Sequence, residues 1–201
     1  AALLPLAIFA MLAGIVGGYA LRRIPEDLAL DRQTVLAQVA AAGVAESLRG
    51  HIRLLEITAE DLEEYAGDLD RQRQLLGERA TVLKAFNGGA GLLDAEGTAI
   101  AVTPPGEPSL GLNFADRDYI QQARATGTPS FSGVLEDRPT GELAVVIAVP
   151  VQRAGVFAGV LLGELTLSRP DWARGLNLLR GTPGGKGYII DSASTIIYHP
   201  E

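Results

Sequence analysis

The longest alternation of large apolar with small or polar positions lies between Gly141 and Leu167. Leu143, Val145, Ile147, Val149 and Val151 recur with period two, and Val156 to Leu167 returns after Arg153-Ala154-Gly155. Period two in β-branched side chains, broken once by a short glycine-containing turn, predicts a β-hairpin. The opposite face of the first strand carries Ala144 and Ala148, and the second strand carries Gly159 and Gly163 among large apolar neighbours. Small residues inside strands let another group come close, either a packed helix or a ligand. Glu164 interrupts the apolar run near the end of the second strand. A carboxylate there must be paired, reach solvent at a cleft, or contact a ligand.

A second period governs the first half of the chain. From Glu26 to about Phe86 the sequence is rich in Ala, Leu, Glu, Arg and Gln, has no proline after Pro25, and reads as one long helix or two in line. Leu48, Leu55, Leu62, Leu69, Leu76 and Leu83 recur every seven residues, so one stripe of that helix stays buried. The positions between are small or polar, which suits either a dimer seam or a helix laid along a domain. Fully helical, the segment would reach about 90 Å as a stalk. Before it, Leu3 to Leu21 is apolar and uncharged. It is close to the roughly 20 residues needed to span a bilayer and longer than the usual signal-peptide core, which favours a membrane helix over a cleaved signal.

After the helix, Asn87-Gly88-Gly89 marks a C-terminal stop. Ala90 to Leu93 and Thr98 to Val102 flank the turn Asp94-Ala95-Glu96-Gly97, a strand pair. A loop runs from Thr103 to about Leu112. Asp116 to Ala125 has helical spacing with Tyr119, Ile120 and Ala123 on one side, Gly127-Thr128-Pro129 stops it, and Ser130 to Leu135 reads as another short strand. The order predicts an α+β fold with an antiparallel sheet, one face free to be covered by the long helix.

Composition removes several chemistries. The chain of 201 residues has no cysteine, so disulfides, thiolate nucleophiles and sulfur-ligated metals are excluded. His51 and His199 lie far apart, which argues against a zinc site. A net charge of −7 without a basic cluster argues against nucleic acid. The run Gly181 to Tyr188 lacks the hydroxyl residue after Lys186 that a phosphate loop needs, and reads as a turn. No nucleophile with a recognisable triad signature is visible, so no catalytic residue, metal or cofactor is assigned. The chain ends at Glu201 inside a strand-like pattern, which suggests a piece of something longer.

The block Asn113-Phe114-Ala115-Asp116-Arg117-Asp118-Tyr119, followed by Gly127 to Ser132, Ala148-Val149-Pro150-Val151 and Gly159 to Glu164, resembles the double Cache family of PAS-like extracellular sensor domains. These belong to bacterial sensor histidine kinases, chemoreceptors and diguanylate cyclases. Gly187 to Ser192 and His199-Pro200 resemble the opening of a second, membrane-proximal module. The resemblance implies a membrane helix over 3–21, a stalk over 26–86, a distal module over 87–168, a linker helix and turn over 169–185, and a truncated second module over 186–201. It also places everything after Arg23 outside the inner membrane, although Arg22 and Arg23 alone would suggest the cytoplasm.

Carried over from the family, Arg117 and Tyr119 line a ligand pocket of the distal module, with Ser132, Glu164 and Asp116 nearby. A guanidinium suits a carboxylate, a phenol or hydroxyl donates, and an acid receives an ammonium. The amino-acid-binding form of the motif has an Arg three residues before the Tyr and a Trp directly before it, where this chain has Asp116 and Asp118. A small organic acid is therefore expected ahead of an amino-acid-like ligand. Other readings stand beside these: Asp116 as the cap of the short helix, Arg117 paired with Glu136 or Asp137, and Tyr119 as core. The expected function is the small-molecule sensing region of a dimeric transmembrane receptor, first a histidine kinase, alternatively a chemoreceptor or cyclase. A ligand-free module that docks a periplasmic protein is the reading from another class.

Overall fold

A computed structural model describes residues 34–104, 107–168, 171, 173, 189–190 and 196–198. The expected membrane helix over 3–21, the linker over 169–185 and most of the second module lie outside the described residues. Of that module, the described part is an antiparallel pair, Ile189–Ile190 with Ile196–Tyr198. No helix among the described residues is long and apolar enough to cross a membrane.

The helical half is two helices, α1 over 34–63 and α2 over Leu69–Leu83. The single or collinear stalk expected from the heptads is corrected here. Gly67 takes φ +94°, a backbone region that favours glycine, and Asp68 then caps α2 by accepting a hydrogen bond from Arg71 N at 3.1 Å. The helices fold back on each other. Asp61 on α1 pairs with Arg79 on α2, and His51 Nε2 lies 3.2 Å from the carbonyl oxygen of Ala85. The described part of α1, 30 residues over 34–63, spans about 45 Å. Leu55, Leu62, Leu76 and Leu83 are buried, Leu48 partly so, but Leu69 at the start of α2 is 37% exposed.

The sheet contains β1 (Gly89–Asp94), β2 (Ala99–Val102), β3 (Ser130–Phe131), β4 (Leu135–Glu136), β5 (Leu143–Arg153) and β6 (Val156–Thr166). Its order is β2-β1-β6-β5-β3, with β4 also paired to β5, and every pair is antiparallel. The strand expected over 130–135 is therefore two short pieces around Ser132 to Val134. The β5–β6 turn uses Ala154 (φ 52°) and Gly155 (φ 77°), the pair of positive angles a tight two-residue hairpin turn requires.

Alternation divides the sheet's residues between two cores. Ala90, Leu92, Ala101, Ile147, Val149, Val151, Leu161 and Leu165 pack with α1 and α2. Leu93, Ala99, Val146, Ala148 and Val160 pack with α3 (Asp118–Thr126) through Tyr119, Ile120 and Ala123. The small residues make room for protein groups on both faces of the sheet. Ala148 receives α3, whereas Gly163 receives the ring of Phe86: a Cβ at Gly163 would lie 2.4 Å from Phe86 Cε1. His51 in turn meets that ring edge-on, with centroids 5.1 Å apart.

Candidate functional site

The motif block is fixed by local hydrogen bonds before it reaches the sheet. Asn113 donates through Nδ2 to Glu96 O and Thr98 Oγ1, and its Oδ1 accepts from Ala115 N. This ties residues 113–115 to the β1–β2 turn. Arg117 then occupies the cap position of α3 without a side-chain cap bond, so the cap expected from Asp116 is not formed. Tyr119 follows on the face turned to the sheet, where Ser130 Oγ donates to its carbonyl oxygen at 2.5 Å. Gly127, at φ 66°, ends the helix in the left-handed region.

A hollow of about 50 Å³ lies between α3 and the sheet, and Arg117, Tyr119, Val146, Leu162, Asp137 and Glu164 are among the residues that line it. A second hollow, of about 310 Å³, shares Gly88, Ser109, Asp137 and Glu164 with the first and adds Glu142, Thr140 and Ser168. The inner part is bounded mainly by apolar side chains, with Arg117 its only basic lining residue among the described residues. The outer part carries Asp137, Glu142 and Glu164 and, among the described residues, no basic lining residue.

Three of the five expected site residues meet here. Arg117 donates through Nη2 to the Glu136 carbonyl oxygen at 3.3 Å, while its Nε is buried without a hydrogen-bond partner. The pairing considered with the Glu136 or Asp137 carboxylate is replaced by that carbonyl. Tyr119 serves as core and as pocket wall at once. Burial pushes its phenol up to about 12, so it stays a neutral donor. Burial, and then the nearby Asp137 and Glu142 carboxylates, raise Glu164 to about 7. Glu164 also fills the space over Gly88, where a Cβ would fall 2.6 Å from its Cγ. Among the described residues, neither the Tyr119 hydroxyl nor the Glu164 carboxylate has a hydrogen-bond partner.

Asp116 and Ser132 are not brought to these hollows. Asp116 is exposed and paired with Arg138, whose hydrogen bond holds its carboxyl below the ordinary range. Arg138 also donates to Asn113 O at 2.7 Å, so the pair clamps the loop before α3. Ser132 Oγ accepts from Val146 N at 2.7 Å, and Ser132 N donates to Val146 O. Its hydroxyl serves the sheet edge.

Asp137 was missed. It is only 7% exposed, and it lines both hollows. Its Oδ2 accepts from Thr140 N and Oγ1, and its carbonyl oxygen accepts from Gly141 N at 2.8 Å. The segment Asp137-Arg138-Pro139-Thr140-Gly141 signals such a self-closed turn, but nothing in its spacing signals burial. Among the described residues, no cluster of His, Asp and Glu could hold a metal ion. The arrangement can seat a carboxylate at Arg117, take a hydrogen bond from Tyr119, and place positive charge against Asp137 and Glu164.

No family model and no curated protein matches this chain. Solved structures do. The ligand-binding domain of the Pseudomonas fluorescens chemoreceptor CtaA in complex with L-serine is similar with a TM-score of 0.70 and 24% identity, over 88% of this chain and 74% of that one. The Pseudomonas aeruginosa amino-acid chemoreceptor domain PctC, in complex with GABA, gives 0.67 and 23% over 85% of this chain and 77% of that one. PctB from the same organism, in complex with L-Arg, gives 0.69 and 23% over 88% and 72%. This chain shares the fold of these ligand-binding domains. The similar domains are ligand-binding rather than catalytic.

Proposed function

We propose that this chain is the extracytoplasmic sensing region of a membrane chemoreceptor and binds a small amino-acid-like molecule between α3 and the sheet. The observation that carries the reading is the convergence of Arg117, Tyr119, Asp137 and Glu164 on one hollow, with Arg117 Nε buried and unpartnered. A buried donor left unsatisfied costs stability, and a ligand carboxylate would satisfy it. The chemoreceptor reading moves ahead of the histidine kinase expected first, because the similar sensor domains come from chemoreceptors that were solved with amino acids or GABA. The ligand class shifts as well. An organic acid without a cationic group would meet the Asp137 and Glu164 carboxylates unpaired, whereas an amino acid offers them its ammonium. Membrane insertion through 3–21 and pairing of two chains along α1 belong to the same proposal.

Titration calorimetry of the purified chain with L-amino acids and with the matching organic acids tests this. The expected result is saturable binding of at least one amino acid, and a loss of about tenfold or more in Arg117→Ala, the size of one charge-assisted hydrogen bond. Circular dichroism confirms the fold of the variant. Tighter binding of the organic acids, or no binding of either class, overturns the reading.

A further inference from the structure

Two chain segments meet at the cleft, and each carries two charged neighbours that divide between inside and outside. Before α3, Arg117 lines the inner hollow while Asp116 is exposed; in the β4–β5 loop, Asp137 lines both hollows while Arg138 stands outside them. The outer members are joined. Arg138 donates to the Asp116 carboxylate and, at 2.7 Å, to Asn113 O, and its guanidinium lies 5.6 Å from the centre of the Phe114 ring, itself a wall of the inner hollow. The inner members are not joined: Arg117 reaches the Glu136 carbonyl oxygen, Asp137 closes on Thr140, and the two form no ion pair with each other. Arg117 to Glu136 and Arg138 to Asn113 and Asp116 therefore cross between the same two segments in opposite directions. The hollow they border is small. At about 50 Å³ it has room for roughly four water-sized groups, so a shift of either segment by the width of an atom changes what fits.

We infer that Asp116 and Arg138 are positioning residues of the binding site: without touching the bound molecule, their pair sets the separation of the segments that present Arg117 and Asp137 to it. This rests on the reading of the cleft as an amino-acid site. An exposed ion pair contributes little to the stability of a fold. Its effect here is to keep the binding-competent spacing populated before a ligand arrives. Apparent affinity falls in proportion to the competent fraction, so a variant in which that fraction drops to about one fifth binds about fivefold more weakly.

Titration calorimetry of the intact chain with each of the twenty L-amino acids identifies the tightest binder among them. That amino acid is then titrated into Asp116→Ala, Arg138→Ala and the double variant, with circular dichroism and a melting curve for each. Both single variants are expected to keep the fold and to bind about fivefold more weakly. The double variant should bind no worse than Arg138→Ala, because each change breaks the same link. Unchanged affinity in the single variants, losses that multiply in the double variant, or a loss seen only where the fold is lost overturns the inference and leaves the amino-acid site standing. Binding of none of the twenty by the unmodified chain removes the site and the inference together.

Discussion

Replacing Gly163 by alanine puts a methyl group into space already taken. The new Cβ would sit 2.4, 2.5 and 2.8 Å from three ring carbons of Phe86, a side chain buried to 1% exposure between β6 and the helices. Overpacking of this kind costs about 1–3 kcal/mol, while exchanging glycine for alanine within a strand returns about 0.5–1 kcal/mol. Because the ring has no free side to move into, the upper end applies and the net loss is about 2 kcal/mol. In a chain of this size that lowers Tm by about 4–8 °C. Truncating Phe86→Ala alone costs about 3–5 kcal/mol but empties the space over Gly163. In that background Gly163→Ala should reverse sign and stabilise by about 0.5–1 kcal/mol, giving a coupling of about 2.5–3 kcal/mol. Urea unfolding of the four proteins in the cycle measures it. Equal costs in the two backgrounds would refute the close approach of ring and strand.

Two further predictions concern other parts of the molecule. Glu164 keeps its proton to about pH 7 when folded, against an ordinary value of 4.5; the folded chain therefore binds more protons in between, and stability falls as pH rises from about 4.5 to about 7 and then levels. Glu164→Gln should flatten that segment of a Tm-against-pH curve, and a curve of unchanged slope would show that Glu164 is not the group responsible. Of the heptad leucines, Leu76→Ala should cost about 2–5 kcal/mol and Leu69→Ala less than about 1, because Leu76 is 1% exposed and Leu69 37%; equal costs in chemical denaturation would restore the continuous stripe.

The hairpin, the strand pair before it and the face of α3 were legible because each depends on a local period and a local turn signal. The break at residues 64–68 was also written locally, as Gly67 for a left-handed residue and Asp68 for a helix cap. The seven-residue leucine spacing concealed it by running through unchanged. A heptad is satisfied equally by one long helix or by two that fold back, since Leu62 and Leu76 are buried in either case. Within the site, Arg117, Tyr119 and Glu164 could be placed from motif and strand alternation. Asp137 could not, because what buries it is the return of a loop over the end of the sheet, a contact across sequence distance. Asp116 was misplaced for a similar reason: its partner Arg138 lies 22 residues away.

Gly163 and Glu164 are chain neighbours that look to opposite sides of the sheet, and both press on the same three-residue stretch, Phe86 to Gly88. On one side the acid lies across Gly88; on the other, the aromatic ring lies against bare backbone and touches His51 of the long helix. The stretch between them is held to the same strand, with Gly88 N donating to the Glu164 carbonyl oxygen and Thr166 N to Asn87 Oδ1. The acid of the hollow and the ring that meets the long helix are therefore set apart by the thickness of a single strand.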